Sequence, residues 1–171
     1  MCRHLGYVGP PVALAELVID PPHSLLRQSW APTDMRGGGT INADGFGFGW
    51  YASGRSDAAT YRRSAAMWTD GSLPALARTI VSGCVLAAVR SATVGMPVTE
   101  TAVAPFAEGR WLFSHNGLVT GWPDSVEALA AELPTRYLMT LEAPIDSALL
   151  WALVRHRLRG GASPAAALST V

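Results

Sequence analysis

This sequence has little charge and little cysteine, and it contains no long apolar run. Charged residues make up 15% of the 171 positions, and 13 basic residues balance 13 acidic ones. The chain therefore has no basic block of the kind that pairs with nucleic acid or anionic lipid. No apolar run approaches the ~20 residues that a membrane span needs. We expect neither nucleic acid nor a membrane as a partner.

The small number of cysteines indicates the cellular compartment and argues against disulfides as a source of stability. Cys2 and Cys84 are the only two cysteines, so a disulfide framework is excluded and a reducing cytoplasm fits both thiols. The first residues lack the basic and apolar regions of an export signal, which favours the same compartment. With 49% apolar residues in 171 positions, we expect one globular cytoplasmic domain over 1–171. The composition predicts no particular oligomeric state.

The last residues predict the start of a further helix. Ser163 is a good helix cap, and Pro164 suits the first turn ahead of the alanines at 165–167. A domain seldom ends a few residues into a new helix. We expect this sequence to be the front part of a longer chain, with a domain that is incomplete at its C-terminal end.

Hydrophobic periodicity predicts a mixture of strands and helices. The apolar pattern and its turn residues predict strands at 2–8, 42–51, 58–63, 84–90 and 110–115. Helical spacing predicts helices at 11–19, 72–82, 124–133 and 146–159. Residues 20–40, with their prolines and a glycine triplet, predict a long loop of the kind that often forms a functional lid.

Alternating glycines mark one strand as unusual. Gly45, Gly47 and Gly49 alternate with aromatic residues, which leaves one face of the strand bare. Glycine weakens a strand unless another backbone or a ligand approaches closely. The spacing differs from the G-x-G-x-x-G of a nucleotide-binding loop, and no helix follows. We therefore expect a close approach on this face and no nucleotide site.

Cys2 is the candidate nucleophile because of its position. A small residue after the initiator favours removal of Met1, which leaves Cys2 with a free α-amine. An α-amine with an unperturbed pKa of ~7.7–8.0 can act as the base for a thiol of pKa ~8.5, directly or through a water. The alternative is a small apolar residue near a chain end, and Cys2 alone does not decide between the two.

Three further features supply the chemistry of an amidase acting on a γ-glutamyl group. Arg90 ends a buried strand, where a guanidinium either holds a carboxylate in a two-bonded fork or simply lies at the surface. Asn116 and Gly117 form a tight-turn dipeptide after another strand. Asp146 begins a predicted helix. Its carboxylate either caps that helix or binds an ammonium group of the substrate.

In their order, these motifs resemble the signatures of class II glutamine amidotransferases, which belong to the N-terminal-nucleophile hydrolases. They are Met1-Cys2, Asn42-Ala43-Asp44-Gly45-x-Gly47, Arg90-x-Ala92-Thr93-x-Gly95, His115-Asn116-Gly117 and Asp146-Ser147. The resemblance covers nearly the whole chain. It implies an α+β fold, a four-layer αββα sandwich of two stacked antiparallel sheets, covered by the predicted helices 11–19, 72–82 and 146–159. It also implies no cofactor.

The resemblance assigns roles to the site residues. Cys2 would be the nucleophile and its amine the base. The Asn116 side chain and the Gly117 N–H would form the oxyanion hole. Arg90, supported by Thr93, would bind the α-carboxylate of a small-molecule γ-glutamyl substrate, and Asp146 would bind its α-ammonium.

The remaining polar residues of the motifs receive no reacting partner. His4, Asp44 and His115 would be structural supports, and Cys84 an inert core thiol. A metal site built from Cys2, His4 and His115 has little in its favour, and we expect no metal.

Within the family, three stretches resemble the γ-glutamyl hercynylcysteine sulfoxide amidohydrolases of ergothioneine biosynthesis. They are residues 1–7, 21–25 and 90–98. That branch removes a γ-glutamyl group and delivers no ammonia to a synthase. Ser91 and Val94 stand where many ammonia-producing members carry tryptophan and histidine, which agrees with this branch.

Two other functions remain open. One is a glutaminase subunit that supplies ammonia to a separate synthase. The other is a catalytically inactive member of the family that serves as a binding module. The complete set of candidate site residues argues against the second.

The leaving group of the amidohydrolase branch carries a trimethylammonium, and aromatic faces usually hold such cations. Core packing accounts for Trp50, Trp111 and Trp151 more simply than for Trp30 and Trp68, which lie in predicted loops. We predict that Trp30 lies on a mobile loop over the site and contacts the leaving group. Arg36, in the same loop, would meet another carboxylate of the substrate.

Overall fold

A four-stranded antiparallel sheet organises the first part of the chain. The computed structural model describes residues 2–34 and 41–171. The order of the strands in this sheet is β1-β4-β2-β3, and a second antiparallel sheet pairs β5 with β6. The strands are β1 Arg3–Ala13, β2 Phe46–Trp50, β3 Ala59–Arg63, β4 Val81–Val89, β5 Phe106–Glu108 and β6 Trp111–Phe113.

Helices complete an α+β fold that divides into two compact units, 1–116 and 117–171. In its described residues, the first unit holds both sheets and three helices, α1 Leu14–Val18, α2 Leu25–Trp30 and α3 Leu73–Thr79. The second holds α4 Glu127–Ala131, α5 Thr135–Met139, α6 Asp146–Arg159 and α7 Pro164–Ser169. Single 3-10 turns lie at Met67–Thr69, Glu100–Ala102 and Asp124–Val126. Within residues 2–34 and 41–171, no helix combines the length and apolarity that crossing a membrane requires.

One face of the larger sheet carries the core of the first unit. Phe46 pairs with Val89 and Phe48 with Ala87, so their side chains point to the same side of β2 and β4. This face packs against buried residues of α1 and α3, which include Leu14 and Leu73. Burial of an aliphatic or phenyl side chain stabilises the fold by about 1.5–3 kcal/mol. Burial of these side chains therefore fixes the larger sheet against α1 and α3.

The other face of β2 is bare, as the alternating glycines predicted, and a second segment approaches it closely. A Cβ atom at Gly49 would lie 2.6 Å from Cδ2 of Leu112, which belongs to β6. A Cβ atom at Gly47 would collide with the carbonyl oxygen of Ala104, just before β5. Side chains at these positions would push the second sheet away. The expectation of a close approach to this face is confirmed.

Strand β1 is longer than predicted, and the helix that follows it is shorter. The expected strand at 2–8 extends to Ala13, and the helix expected at 11–19 is reduced to Leu14–Val18. The register between β1 and β4 is irregular between Val8 and Val12, after which pairing resumes as Val12–Ser82. Prolines at 10 and 11 cannot donate to the ladder, so they are accommodated in the irregular stretch.

The segment predicted as one long loop contains helix α2. The Ser24 side chain caps this helix by accepting a hydrogen bond from the Arg27 N–H at 3.2 Å. Leu25 is buried in the core of the first unit, which supplies the apolar contact that a short helix needs. Trp30 is the last residue of α2, so its prediction as a loop residue is wrong. Arg36 lies outside the described residues.

The other boundaries agree more closely with prediction. Helix α6 covers the predicted residues, Asp146–Arg159, and its apolar side packs on a cluster that includes Val126, Leu133 and Tyr137. Strand β4 begins at Val81, earlier than predicted, and α3 accordingly ends at Thr79. The predicted helix 124–133 is a 3-10 turn followed by α4. Ser163 caps α7 through a hydrogen bond from the Ala166 N–H, as expected.

Candidate active site

The thiol of Cys2 lies beside the residue that follows Arg90. Because Arg3 pairs with Val89, the start of β1 meets the end of β4. The Ser91 N–H donates to the Cys2 sulfur at 3.3 Å, and the thiol is 3.4 Å from the Ser91 carbonyl oxygen. Cys2 is half-buried. These two contacts place the Cys2 sulfur against the backbone of Ser91.

The residues around Arg90 are held by the segment that precedes β2. The Arg90 N–H donates to the Gly45 carbonyl at 2.7 Å, and the Asp44 N–H donates to the Arg90 carbonyl at 3.1 Å. The Asp44 carboxylate accepts from the Ala92 N–H at 2.7 Å. These bonds lie on both sides of Ser91, so Asp44 is a structural support of the residue that contacts the Cys2 sulfur.

The Arg90 side chain is half-buried and bound to the loop that follows it, residues 90–97. One guanidinium nitrogen donates to the Pro97 carbonyl at 2.8 Å. Loop 90–97 reverses direction at a turn in which the Met96 N–H donates to the Thr93 carbonyl, with Gly95 at a φ of 90°. Only glycine adopts that φ without strain. Thr93 itself is exposed at the start of this turn.

The segment after β6 reaches the N-terminal strand through His4. The His4 ring nitrogen Nδ1 lies 3.3 Å from the Ser114 hydroxyl, two residues before Asn116. His4 is itself two residues after Cys2. The contact therefore brings the stretch that ends in Asn116 to the start of β1. Asn116 and Gly117 are both exposed.

Asp146 is buried in the second unit, and its carboxylate accepts three hydrogen bonds. Oδ1 accepts from the Ser147 N–H at 2.6 Å and lies 3.2 Å from the Ser147 hydroxyl. Oδ2 accepts from the Val119 N–H at 3.1 Å. The N-cap of α6 is Ile145, so Asp146 is the first residue of the helix and not its cap. A carboxylate at this end of a helix is favoured by the helix dipole.

Trp30 is 46% exposed, and the Arg27 guanidinium lies over its ring at 4.2 Å from the centroid. Two hydrogen bonds tie residues near Trp30 in the sequence to the segments that precede Asp44 and follow Cys2. The Asn42 N–H donates to the Ser29 carbonyl at 2.7 Å, and the Arg3 guanidinium donates to the Asp34 carbonyl.

The first unit thus brings Cys2, Arg90 and Asp44 close together through the backbone of residues 90–92. Asn116 is the last residue of this unit and follows the segment that contacts His4. Gly117 and Asp146 belong to the second unit, and Arg36 is outside the described residues. The sequence did not single out Ser114 and Val119, and it marked Ser91 only as a difference from the ammonia-producing members. Ser91 and Val119 act through backbone N–H groups, which every residue but proline carries, so no sequence signal indicated these contacts.

No group of three or more His, Cys, Asp or Glu side chains within residues 2–34 and 41–171 is placed to hold a metal ion. Cys84, on β4, is half-buried.

The family model for class II glutamine amidotransferases matches residues 16–134. The chain belongs to the class II glutamine amidotransferases.

Curated relatives give a more specific likeness. The chain is 43% identical over 157 residues to a gamma-glutamyl-hercynylcysteine sulfoxide hydrolase from Mycolicibacterium smegmatis, covering 92% of this chain and 63% of that protein. It is 48% identical over 122 residues to the protein of the same name from Mycobacterium tuberculosis, covering 70% of this chain and 50% of that protein. The chain thus spans about half to two thirds of the length of these relatives.

A solved structure shows the same fold at lower identity. A glutamine aminotransferase class-II domain protein from Silicibacter pomeroyi superposes with a TM-score of 0.61 at 22% identity, covering 99% of this chain and 63% of that one. The likeness supports the α+β arrangement of two antiparallel sheets.

Proposed function

We propose that this protein hydrolyses the γ-glutamyl amide of γ-glutamyl hercynylcysteine sulfoxide, through a thioester on Cys2, in ergothioneine biosynthesis. The observation that carries the proposal is the hydrogen bond from the Ser91 N–H to the Cys2 sulfur. It supports the proposal because the Cys2 sulfur lies against the residue that follows Arg90, whose guanidinium is suited to the carboxylate of a glutamyl substrate. The names of the curated relatives supply the substrate.

In the first half of the reaction, the Cys2 sulfur attacks the γ-carbonyl carbon while the Cys2 α-amine takes the thiol proton. The Asn116 side chain and the Gly117 N–H donate to the oxyanion as the carbonyl double bond opens. The carbon–nitrogen bond then breaks, and the α-ammonium returns its proton to the leaving nitrogen. Free hercynylcysteine sulfoxide departs, and a γ-glutamyl thioester remains.

In the second half, a water attacks the thioester carbonyl while the same α-amine takes a proton from the water. The carbon–sulfur bond breaks, the sulfur recovers a proton, and glutamate leaves. Throughout, Arg90 holds the α-carboxylate and Asp146 holds the α-ammonium of the glutamyl group. No ammonia forms, because the leaving nitrogen is that of the conjugate.

The proposal extends to the architecture around the site. We place the chain in a single amidotransferase-type domain over 1–171, folded as the four-layer αββα sandwich, in the cytoplasm. The stacking of β6 on the glycine face of β2 supports two packed sheets as the middle layers.

Steady-state kinetics on the purified protein test the proposed function. The expected result is a kcat/KM for γ-glutamyl hercynylcysteine sulfoxide far above that for glutamine, with glutamate and hercynylcysteine sulfoxide formed in equal amounts. A higher kcat/KM for glutamine, with ammonia released, would instead identify a glutaminase subunit. Binding of the conjugate without turnover would identify an inactive binding member.

Replacing Arg90 with lysine should lower kcat/KM by about 10- to 100-fold, mainly through KM. A lysine ammonium is a point charge and cannot make the two parallel bonds of a guanidinium on a carboxylate. Arg78→Lys is the matched control, because Arg78 pairs with Asp20 at an exposed position. Unchanged KM and kcat in Arg90→Lys would show that Arg90 is a charged residue at a strand end that does not bind the substrate.

We also propose that Trp30 contacts the trimethylammonium of the leaving group. Arg36 would bind a carboxylate of the substrate other than the α-carboxylate held by Arg90. Trp30 supports this role as a half-exposed ring whose face already holds a cation, the Arg27 guanidinium. The bond from Arg3 to the Asp34 carbonyl ties the chain just after α2 to the residue next to Cys2.

Trp30→Ala should slow hydrolysis of the trimethylated conjugate selectively. The expected loss is about 2- to 30-fold relative to a conjugate without the methyl groups, because a cation on an aromatic face gains ~0.5–2 kcal/mol. Trp68→Ala is the matched control, since Trp68 is 41% exposed on a 3-10 turn. An equal loss for both conjugates in Trp30→Ala would make Trp30 part of the scaffold only.

A further inference from the structure

The Asp146 carboxylate reaches the chain that follows the oxyanion residues. Its Oδ2 atom accepts the Val119 N–H at 3.1 Å, and Val119 is two residues beyond Gly117. Consecutive Cα atoms are ~3.8 Å apart, so fixing Val119 restricts the positions open to Gly117. The exposed Leu118 lies between them and offers no anchor of its own.

Val119 is held in three ways within the second unit. Its N–H donates to Asp146, its carbonyl accepts from the Trp122 N–H at 3.3 Å, and its side chain packs against the cluster on α6. Helix α6 is a firm base because Leu149 and Leu153 are almost fully buried in that cluster. The carboxylate is thus a rigid acceptor for the Val119 N–H.

From this geometry we infer that Asp146 is also a positioning residue for the oxyanion hole. This rests on the proposed function, in which the Gly117 N–H donates to the oxyanion and Asp146 binds the α-ammonium. By fixing Val119, Asp146 sets the direction of the Gly117 N–H. The same side chain therefore acts on kcat through the loop 117–119 and on KM through the substrate.

Counting acceptor sites shows how one carboxylate serves both tasks. An ionised carboxylate offers roughly four lone-pair sites. Ser147 uses those on Oδ1 through its N–H and hydroxyl, and Val119 uses one on Oδ2. The site that remains is on Oδ2. The substrate's ammonium and the Val119 N–H therefore share one oxygen, which couples recognition of the α-amine to placement of the loop.

The test compares Asp146→Ala with wild type on two substrates. One is γ-glutamyl hercynylcysteine sulfoxide, and the other is its glutaryl counterpart, which lacks only the α-amine. If Asp146 positions the loop, Asp146→Ala lowers kcat for the glutaryl substrate by about 10- to 100-fold, because a displaced oxyanion donor is costly even without an ammonium. If Asp146 acts only on the ammonium, the glutaryl substrate reacts equally fast with both proteins, and the inference is overturned.

Amide hydrogen exchange provides a second readout that does not depend on turnover. The Val119 N–H should exchange about 10- to 100-fold faster in Asp146→Ala than in wild type, as expected for loss of a bond to a charged acceptor. Asp124→Ala, at an exposed acidic position of the same unit, is the control and should leave the exchange of Val119 unchanged. Unchanged exchange in Asp146→Ala would also overturn the inference.

The two measurements separate failure of this inference from failure of the proposed function. Wild-type protein that hydrolyses neither substrate would refute the proposed function. The exchange of Val119 would then decide alone whether Asp146 holds the loop.

Discussion

Replacing Cys2 with alanine is expected to abolish hydrolysis of the γ-glutamyl conjugate, with a loss of roughly 10⁴-fold or more in kcat. The reason is that the proposed reaction passes through a bond to the Cys2 sulfur, and an alanine methyl group cannot form it. Binding of the conjugate should stay measurable, because the proposed mechanism assigns the contacts with the glutamyl group to Arg90 and Asp146. Isothermal titration of the variant and product analysis by chromatography measure the two properties separately.

Cys84→Ala is the matched control for this substitution. Cys84 is the other cysteine of the chain, half-buried on β4. Its alanine variant should turn over at nearly the wild-type rate. Residual activity of Cys2→Ala near that of the control would exclude covalent catalysis by Cys2.

An N-terminal extension that leaves Cys2 in place should reduce kcat by at least about 10²-fold. The extension turns the Cys2 α-amine into an amide nitrogen, which has no basic lone pair, so the thiol loses its proton acceptor. The Cys2 thiol and Arg90 are unchanged. The experiment uses protein with a removable extension, assayed before and after a protease exposes Cys2.

Recovery of activity on removal of the extension is the expected result, and the mass of the new N-terminus verifies the cleavage. Protein that retains Met1 should behave like the extended protein. Full activity with Met1 demonstrably in place would show that another group acts as the base, and the self-activation of Cys2 would be wrong.

The parts of the fold that local pattern controls were predictable. Helix α6 shows a long apolar face, and its predicted and observed residues coincide. The glycines of β2 indicated a close approach before any partner was known, and Leu112 of β6 occupies that position. Both features depend on the types of residues that lie a few positions apart, and such local patterns predict structure best.

The errors lie where tertiary contacts override local pattern. Residues 11–13 resemble a helix start after two prolines, yet Val12 and Ala13 pair with β4 and extend β1. Helix α2 was missed because prolines on either side suggested a loop. Its cap at Ser24 and the buried Leu25 nevertheless stabilise a short helix. Pairing with a distant strand and burial in the core are not visible in a short window.

The site shows the same division. Side chains with distinctive chemistry, such as Cys2 and Arg90, were predicted from their types and order along the chain. The groups that contact the candidate side chains were not predicted, because the Ser91 N–H on Cys2 and the Val119 N–H on Asp146 belong to the backbone. Asp44 was predicted only as a support, and the structure supplies its partner, the Ala92 N–H.

The most direct test of the account is to identify the covalent intermediate. Protein mixed with conjugate carrying an isotope-labelled γ-glutamyl group is quenched in acid during the first turnover, digested and analysed by mass spectrometry. The proposed mechanism predicts a labelled γ-glutamyl thioester on the peptide that begins at Cys2, with one hercynylcysteine sulfoxide released per thioester formed. Product formed in the first turnover with no label on that peptide, or with label on Cys84 instead, would contradict it.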